Sequence, residues 1–169
     1  MNKLFLTKLP NDAGALPVII RELNKLAGRY GQSPVVRFAA VSQMNGIGDD
    51  AQEQQAERLN TFVKNSVTYL NDPCEGEYVT SPVQLLKGIL AHGQVFGDCD
   101  DHVLLLASLL KSIGREAVIA GVKLDNPDGT QSPDYNHVVV LAWVRGAWRV
   151  LDPCAKSGDV PAYVDFLTP

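Results

Sequence analysis

The stretch Gly97-Asp98-Cys99-Asp100-Asp101-His102-Val103-Leu104-Leu105-Leu106-Ala107-Ser108-Leu109-Leu110-Lys111-Ser112-Ile113-Gly114 decides how the rest of the chain must be arranged. Its acidic, turn-prone start, its body of strong helix formers and its closing glycine predict a capped helix with Cys99 in the first turn. Val103, Leu104, Leu105, Leu106, Ala107, Leu109 and Leu110 leave almost no polar face, so this helix belongs in the interior. Cys99 then stands where backbone N–H groups lack helical partners. The positive end of a helix favours a thiolate over a thiol, and the same N–H groups can stabilise a developing oxyanion.

Asp98, Asp100 and Asp101 act in the opposite sense, because a neighbouring negative charge raises a thiol pKa. At an effective dielectric near 20, a carboxylate about 4 Å away costs the thiolate roughly 4 kcal/mol, against about 1 kcal/mol in water. Direction decides between these. On a helix Asp100 and Asp101 project roughly 100° and 200° away from Cys99, and Asp98 is a natural N-cap for the N–H groups of Asp100 or Asp101. Asp98 and Asp101 are therefore expected to cap and position the helix, and a histidine to ionise the thiol.

The 169 residues, 46% hydrophobic and 20% charged, fit a single domain over 1–169 with a real core. A net charge of -4 and the lack of any Lys/Arg cluster argue against nucleic acid as a partner. No apolar run reaches membrane-spanning length, and Met1 to Pro10 is too short in its apolar centre for a secretory signal. The expectation is no membrane partner and a cytoplasmic or otherwise non-secreted location. Three cysteines, Cys74, Cys99 and Cys154, without CxxC spacing, disfavour a disulfide framework and a zinc knuckle. Cys74 and Cys154 each follow an Asp-Pro pair and read as small buried hydrophobes at turns, with a bridge between them left open.

Taken in order, Asn11 to Gly31 reads as a packing helix, with Ala15, Val18, Ile19, Leu23, Leu26 and Ala27 at helical spacing. Ser33 to Ala40 is short and apolar, and Met44 to Asp50 is a glycine-containing loop. About Asp50 to Leu70 reads as one amphipathic helix with Ala56, Leu59, Phe62, Val63, Val67 and Leu70 on the core face. Asn71 to Ser81 is a connecting loop, Ser81-Pro82 opens a short helix to Ala91, and Tyr78, Val79 and the loop over Asp125 to Asp134 are the candidates to flank a cleft. Beyond Gly114 the pattern turns extended: a strand over Glu116 to Leu124, a polar loop over Asp125 to Asp134, then strands His137 to Val144 and Ala147 to Leu151 joined through Arg145-Gly146. Helices over about 1–114, an antiparallel sheet over about 115–154 and an irregular tail over 155–169 define an α+β fold.

A thiol nucleophile needs an imidazole to take its proton, and the imidazole needs an acceptor that fixes its tautomer. His137 opens a strand after a loop, where its side chain can face a cleft. Asp152 closes the next strand across the hairpin. His137 lies eight residues before Arg145 and Asp152 six after Gly146, so a bulge or a slightly longer turn is expected to make them neighbours. His102, three residues beyond Cys99, lacks the further ligands a metal site needs. His92 reads as a surface histidine in a loop.

Gly97-Asp98-Cys99-Asp100-Asp101 opening an apolar helix, Asn136-His137 leading an apolar strand, and Trp148-Arg149-Val150-Leu151-Asp152-Pro153 together resemble the transglutaminase-like superfamily of papain-type cysteine enzymes. More narrowly they are similar to its compact bacterial and phage or prophage members, where an Asp-Pro loop and a Ser-Pro helix start precede the Gly-Asp-Cys-Asp-Asp motif. Those features are Tyr69 to Pro73 and Ser81-Pro82 here, so the resemblance covers about Arg37 to Cys154.

The resemblance implies a helix-then-sheet core and a Cys-His-Asp triad: Cys99 as nucleophile, His137 as general base and acid, Asp152 as orienter. It implies attack on a peptide-like amide, a thioester intermediate, and transfer to water or to a second amine. The oxyanion donors would be the Cys99 backbone N–H and the Gln94 side chain, five residues upstream. A cysteine hydrolase (protease or amidase) acting on a protein or peptide is the leading expectation, with no cofactor and no metal. The alternatives are a transglutaminase, and a non-catalytic virion-associated or interaction protein whose partners are phage structural proteins.

Overall fold

The computed structural model describes residues 6–9, 15–71, 77–124, 129–130, 132–155 and 166–169. The elements run β1 (Leu6–Leu9), α1 (Leu16–Tyr30), α2 (Pro34–Ser42), α3 (Gln52–Ser66), β2 (Val67–Tyr69), β3 (Glu77–Thr80), α4 (Pro82–His92), β4 (Val95–Gly97), α5 (Cys99–Ser112), β5 (Ala117–Val122), β6 (His137–Val144), β7 (Ala147–Leu151) and β8 (Phe166–Leu167). The order β7-β6-β5-β8 makes a four-stranded antiparallel sheet. Two small sheets flank the helices: β1 with β3, antiparallel, and β2 with β4, parallel.

Helix α5 is the axis of the molecule, packed on α1, α2, α3, α4, β5 and β6. Every residue from Asp100 to Leu110 is buried, as its apolar circumference requires. Each fully buried leucine contributes on the order of 2 kcal/mol, and Leu104, Leu105, Leu106, Leu109 and Leu110 are all fully buried. The two serines inside this helix return their hydroxyls to its own backbone, Ser108 to the Leu104 carbonyl at 2.7 Å and Ser112 to that of Leu109 at 2.7 Å, so no polar group is stranded. Arg37 donates to the Ser112 carbonyl at the negative end of the helix.

Helix α1 is tied to the sheet through Asn24, whose amide donates to the Ile119 carbonyl at 2.8 Å and whose oxygen accepts the Ile119 N–H at 2.9 Å. Gly31 follows α1 as expected, but in right-handed geometry. A Cβ there would lie 2.8 Å from the Lys111 Cβ, so this glycine permits close approach of α1 to α5. Ser81 caps α4 by accepting the Gln84 N–H, Pro82 occupies the first turn, and Gly93 ends the helix at φ +79°. The serine and the proline have the roles predicted for them.

Several boundaries differ from expectation. The helix predicted to reach Leu70 stops at Ser66, and Val67–Tyr69 is strand. A β-branched pair followed by an aromatic residue suits a strand, and here it finds a partner in β4, with Val67 opposite Val95 and Tyr69 opposite Gly97. Within the predicted loop over Asn71 to Ser81, Glu77–Thr80 pairs with β1, and Val79 is a core residue at 1% exposure, not a cleft wall. In the predicted irregular tail, Phe166–Leu167 adds an edge strand against β5. Cys74 and much of the loop over Asp125 to Asp134 lie outside the described residues, so the pairing of Cys74 with Cys154 does too.

Candidate active site

Asp98 is the N-cap of α5, its carboxylate accepting the N–H groups of Asp100 at 3.0 Å and Asp101 at 3.2 Å. Cys99 is accordingly the first helical residue, half-buried, with its thiol in no disulfide. Asp101 accepts the Thr80 N–H at 2.6 Å and so fastens the start of α5 to the end of β3. Gly97 makes this possible, because a Cβ there would come within 2.7 Å of the Asp101 side chain. The sequence-based roles of Asp98 as cap and Asp101 as positioner match these contacts.

Asp100 behaves differently from its helical projection. Its Oδ1 lies 3.8 Å from the Cys99 Sγ, a distance at which the thiol donates to the carboxylate. Asp98 already occupies the N–H groups of the first turn, and the Asp100 carboxylate leans back beside its neighbour. A thiolate at Cys99 would feel this charge as an opposing one. The site therefore needs a positive partner to make the thiolate.

His137 is the first residue of β6, opposite Val122 at the end of β5. Its backbone neighbour Asn136 clamps that end of the sheet: the Asn136 N–H donates to the Val122 carbonyl at 3.1 Å and its side-chain oxygen accepts the Leu124 N–H at 2.8 Å. The His137 ring is buried, and its Nε2 lies 3.0 Å from Oδ2 of Asp152, itself only 2% exposed. The other carboxylate oxygen accepts the N–H groups of Cys154 at 2.9 Å and Ala155 at 3.2 Å. An Asx turn over Asp152-Pro153-Cys154-Ala155 thus aims one oxygen at the histidine and holds the other on the backbone. With Nε2 bonded to Asp152, Nδ1 is the ring nitrogen left for a thiol.

The pairing needs no bulge or longer turn. Arg145 and Gly146 both have positive φ, 52° and 84°, the two-residue turn that matches strand twist, and the register is regular from Val144 opposite Ala147 to Val140 opposite Leu151. That register sets Asp152 opposite Val139, so it reaches His137 along a same-face diagonal.

Two further groups show that the start of α5 and the turn after β7 share one corner. Burial, followed by the charges of Asp152, Asp98 and Asp100, pushes the Cys154 thiol well above the ordinary cysteine range. Burial, followed by the charges of Cys99, Cys154, Asp98 and Asp100, pushes the Tyr69 phenol up to about 12. The apolar spacing carried the preceding helix through Tyr69; the β-branched Val67-Thr68 before it was the available signal for a strand.

The remaining candidates fall elsewhere. His102 is buried, with Nδ1 2.6 Å from the Asp98 carbonyl and Nε2 3.1 Å from the Val67 carbonyl. Both ring nitrogens are thus engaged by backbone, and the ring pins β2 to the start of α5. Among the described residues no cluster of His, Cys, Asp and Glu could hold a metal ion. His92 is exposed in the last turn of α4. Gln94 is exposed ahead of β4, and the extended residues Val95–Gly97 separate it from Asp98 by roughly 13 Å of strand rise.

A cysteine at the capped start of a buried helix and a His-Asp pair on an antiparallel sheet thus belong to one α+β fold. The model of the transglutaminase-like superfamily matches residues 39–153, and the chain belongs to that superfamily. No curated protein sequence matches it. Among solved structures it is similar to a candidate cysteine protease from Cytophaga hutchinsonii, at 16% identity and a TM-score of 0.50, over 74% of this chain and 38% of that one. It is also similar to a candidate protease from Parabacteroides distasonis, at 14% identity and a TM-score of 0.52, over 89% of this chain and 30% of that one. The chain thus spans about a third of the length of either protein, and at these identities the likeness is one of fold.

Proposed function

We propose that the protein is a cysteine hydrolase, a protease or amidase, that cleaves peptide-like amides with Cys99 as nucleophile, His137 as general base and acid, and Asp152 as the group that orients His137. The observation that carries this reading is the buried 3.0 Å bond between His137 Nε2 and Asp152 Oδ2. It leaves Nδ1 as the nitrogen to act as base. Superfamily membership supports the same reading.

In the proposed cycle Nδ1 takes the thiol proton, and the thiolate attacks the amide carbonyl. The resulting imidazolium, stabilised by the Asp152 carboxylate, returns its proton to the leaving amine. Water, deprotonated by the same nitrogen, then hydrolyses the thioester. The imidazolium also supplies the positive charge that Asp100 makes necessary.

Site-resolved alkylation by iodoacetamide from pH 5 to pH 9, in wild type and in His137→Ala, tests the pair. Cys99 should react fastest below pH 7 and lose that advantage without His137. A Cys99 that reacts no faster than Cys154, or that ignores His137, rules the enzyme out in favour of a binding role. Product analysis with and without an added primary amine separates hydrolysis from acyl transfer, since only transfer incorporates the amine.

A further inference from the structure

The four-stranded sheet ends on one side at β7, which has β6 on one flank and, among the described residues, no strand on the other. The two-residue turn at Arg145-Gly146 makes Val144 and Ala147 a hydrogen-bonded pair, and such pairs alternate along an antiparallel ladder. Trp148 opposite Trp143 and Val150 opposite Leu141 are therefore the pairs that exchange no hydrogen bonds. The Trp143 N–H agrees with this phase, since it donates at 2.9 Å to the Glu116 carbonyl, on the side away from β7. The N–H and C=O groups of Trp148 and Val150 accordingly point outward from the edge of the sheet.

The side chains of the same two residues lie on the face turned away from α5, because Leu151 and its β6 neighbours Val140, Ala142 and Val144 fill the core on the other face. There Trp148 and Val150 line a cavity of about 540 Å³ together with Val118, Leu141 and Phe166, so that all four strands contribute an apolar wall. Trp148 packs edge-on against Trp143 with ring centroids 5.3 Å apart, and the two residues remain 44% and 40% exposed. Arg149, between Trp148 and Val150, projects to the opposite face, where it meets Glu53 at 3.8 Å with both side chains largely in solvent. A guanidinium with five donors can take a second carboxylate there.

We propose that the free edge of β7 docks an extended segment of a partner protein, paired antiparallel through Trp148 and Val150, with apolar residues opposite those two and an acidic residue opposite Arg149. Backbone pairing supplies affinity, the apolar cavity receives the alternate side chains, and Arg149 selects the residue between them. A second copy of β7 fits this edge less well: full overlap sets Arg149 against its own copy, and like charges directly opposite are destabilising. Strand β7 runs into Asp152, the residue that holds His137. On the hydrolase reading, the docked segment is part of the substrate.

Trp143 and Trp148 are the two tryptophans of the chain, so tryptophan emission reports on this edge alone. The probe is a capped peptide with a valine-glutamate-valine core between serines, titrated into the Cys99→Ala protein, which holds it without cutting. A saturable change in emission is expected. Lysine in place of the glutamate should weaken binding roughly fivefold, and Arg149→Glu should invert that preference. Val150→Pro removes an outward N–H that the sheet does not use; it should keep the thermal midpoint within about 3 °C of wild type and weaken binding about tenfold or more. Methylating the two valine N–H groups of the peptide should do the same from the other side. No saturable change, or binding that survives both Val150→Pro and methylation, overturns the proposal. A dimer in sedimentation that Val150→Pro dissolves overturns it in favour of a second copy. Because binding is read without the nucleophile, it is separate from Cys99 alkylation: if alkylation shows no enhancement and binding holds, the docking edge stands and only its assignment to a substrate falls with the hydrolase reading.

Discussion

Asp152 reaches His137 across a diagonal of the β6–β7 hairpin, with Oδ2 on Nε2 at 3.0 Å, while Oδ1 is spent on the backbone of its own turn. The two oxygens therefore have different duties, and the ring can carry its proton toward Asp152 only on Nε2. Tautomer, ring orientation and strand end are set by one carboxylate.

Asp152→Asn should consequently fail by a definite route. The two turn N–H groups demand an acceptor at the Oδ1 position, so the amide must present its NH2 to His137. Nε2 then becomes an acceptor and the proton moves to Nδ1, where it blocks the base. Acylation of Cys99 is expected to fall roughly 10³-fold or more, with the thermal midpoint little changed. An Asp152→Asn protein that acylates at the wild-type rate would remove Asp152 from the mechanism.

Asp100 opposes the thiolate it adjoins, at 3.8 Å. Asp100→Asn should move the pH profile of Cys99 alkylation downward by about one unit. A shift upward would mean that Asp100 assists ionisation through contacts other than its charge.

Cys154 and Tyr69 predict alkaline sensitivity. Both are neutral acids whose folded pKa is raised, Cys154 well above the ordinary 9.0 of a thiol and Tyr69 from 10.0 to about 12. Below pH 9 both states of the chain hold these protons and the folded state loses nothing. As pH rises further the unfolded chain releases them first, so stability falls from about pH 9 upward and continues to fall through the tyrosine range. Denaturant midpoints between pH 7 and pH 11 should show this decline, and Cys154→Ala should remove its earliest part. The same shift should spare Cys154 from alkylation at pH 8, where Cys99 reacts.

Gly97→Ala tests the packing at the start of α5. A Cβ 2.7 Å from the Asp101 side chain must either free Asp101 from Thr80 or push β4 from β2. The expected cost is about 1–3 kcal/mol, a fall in melting temperature of roughly 3–10 °C for a chain of this size. A neutral result would show that Asp101 can leave Thr80 freely.

The sequence by itself determined the elements whose signals are local and strong. The apolar run after Gly97-Asp98-Cys99 reads as a buried helix with Asp98 as its cap, and the apolar, β-branched residues over His137 to Val144 and Ala147 to Leu151 form strands with those ends. The pairing of His137 with Asp152 was legible on the same grounds, because each occupies the end of such an element. Tertiary structure decided what depends on non-local pairing. Val67–Tyr69 and Val95–Gly97 are three-residue parallel strands, too short to hold without each other, and the helical spacing through Val67 and Leu70 hid the first of them. Which nitrogen of His137 meets Asp152, how Asp100 leans on Cys99, and the position of Tyr69 opposite Gly97 follow from strand register and packing, which leave no local trace in the chain.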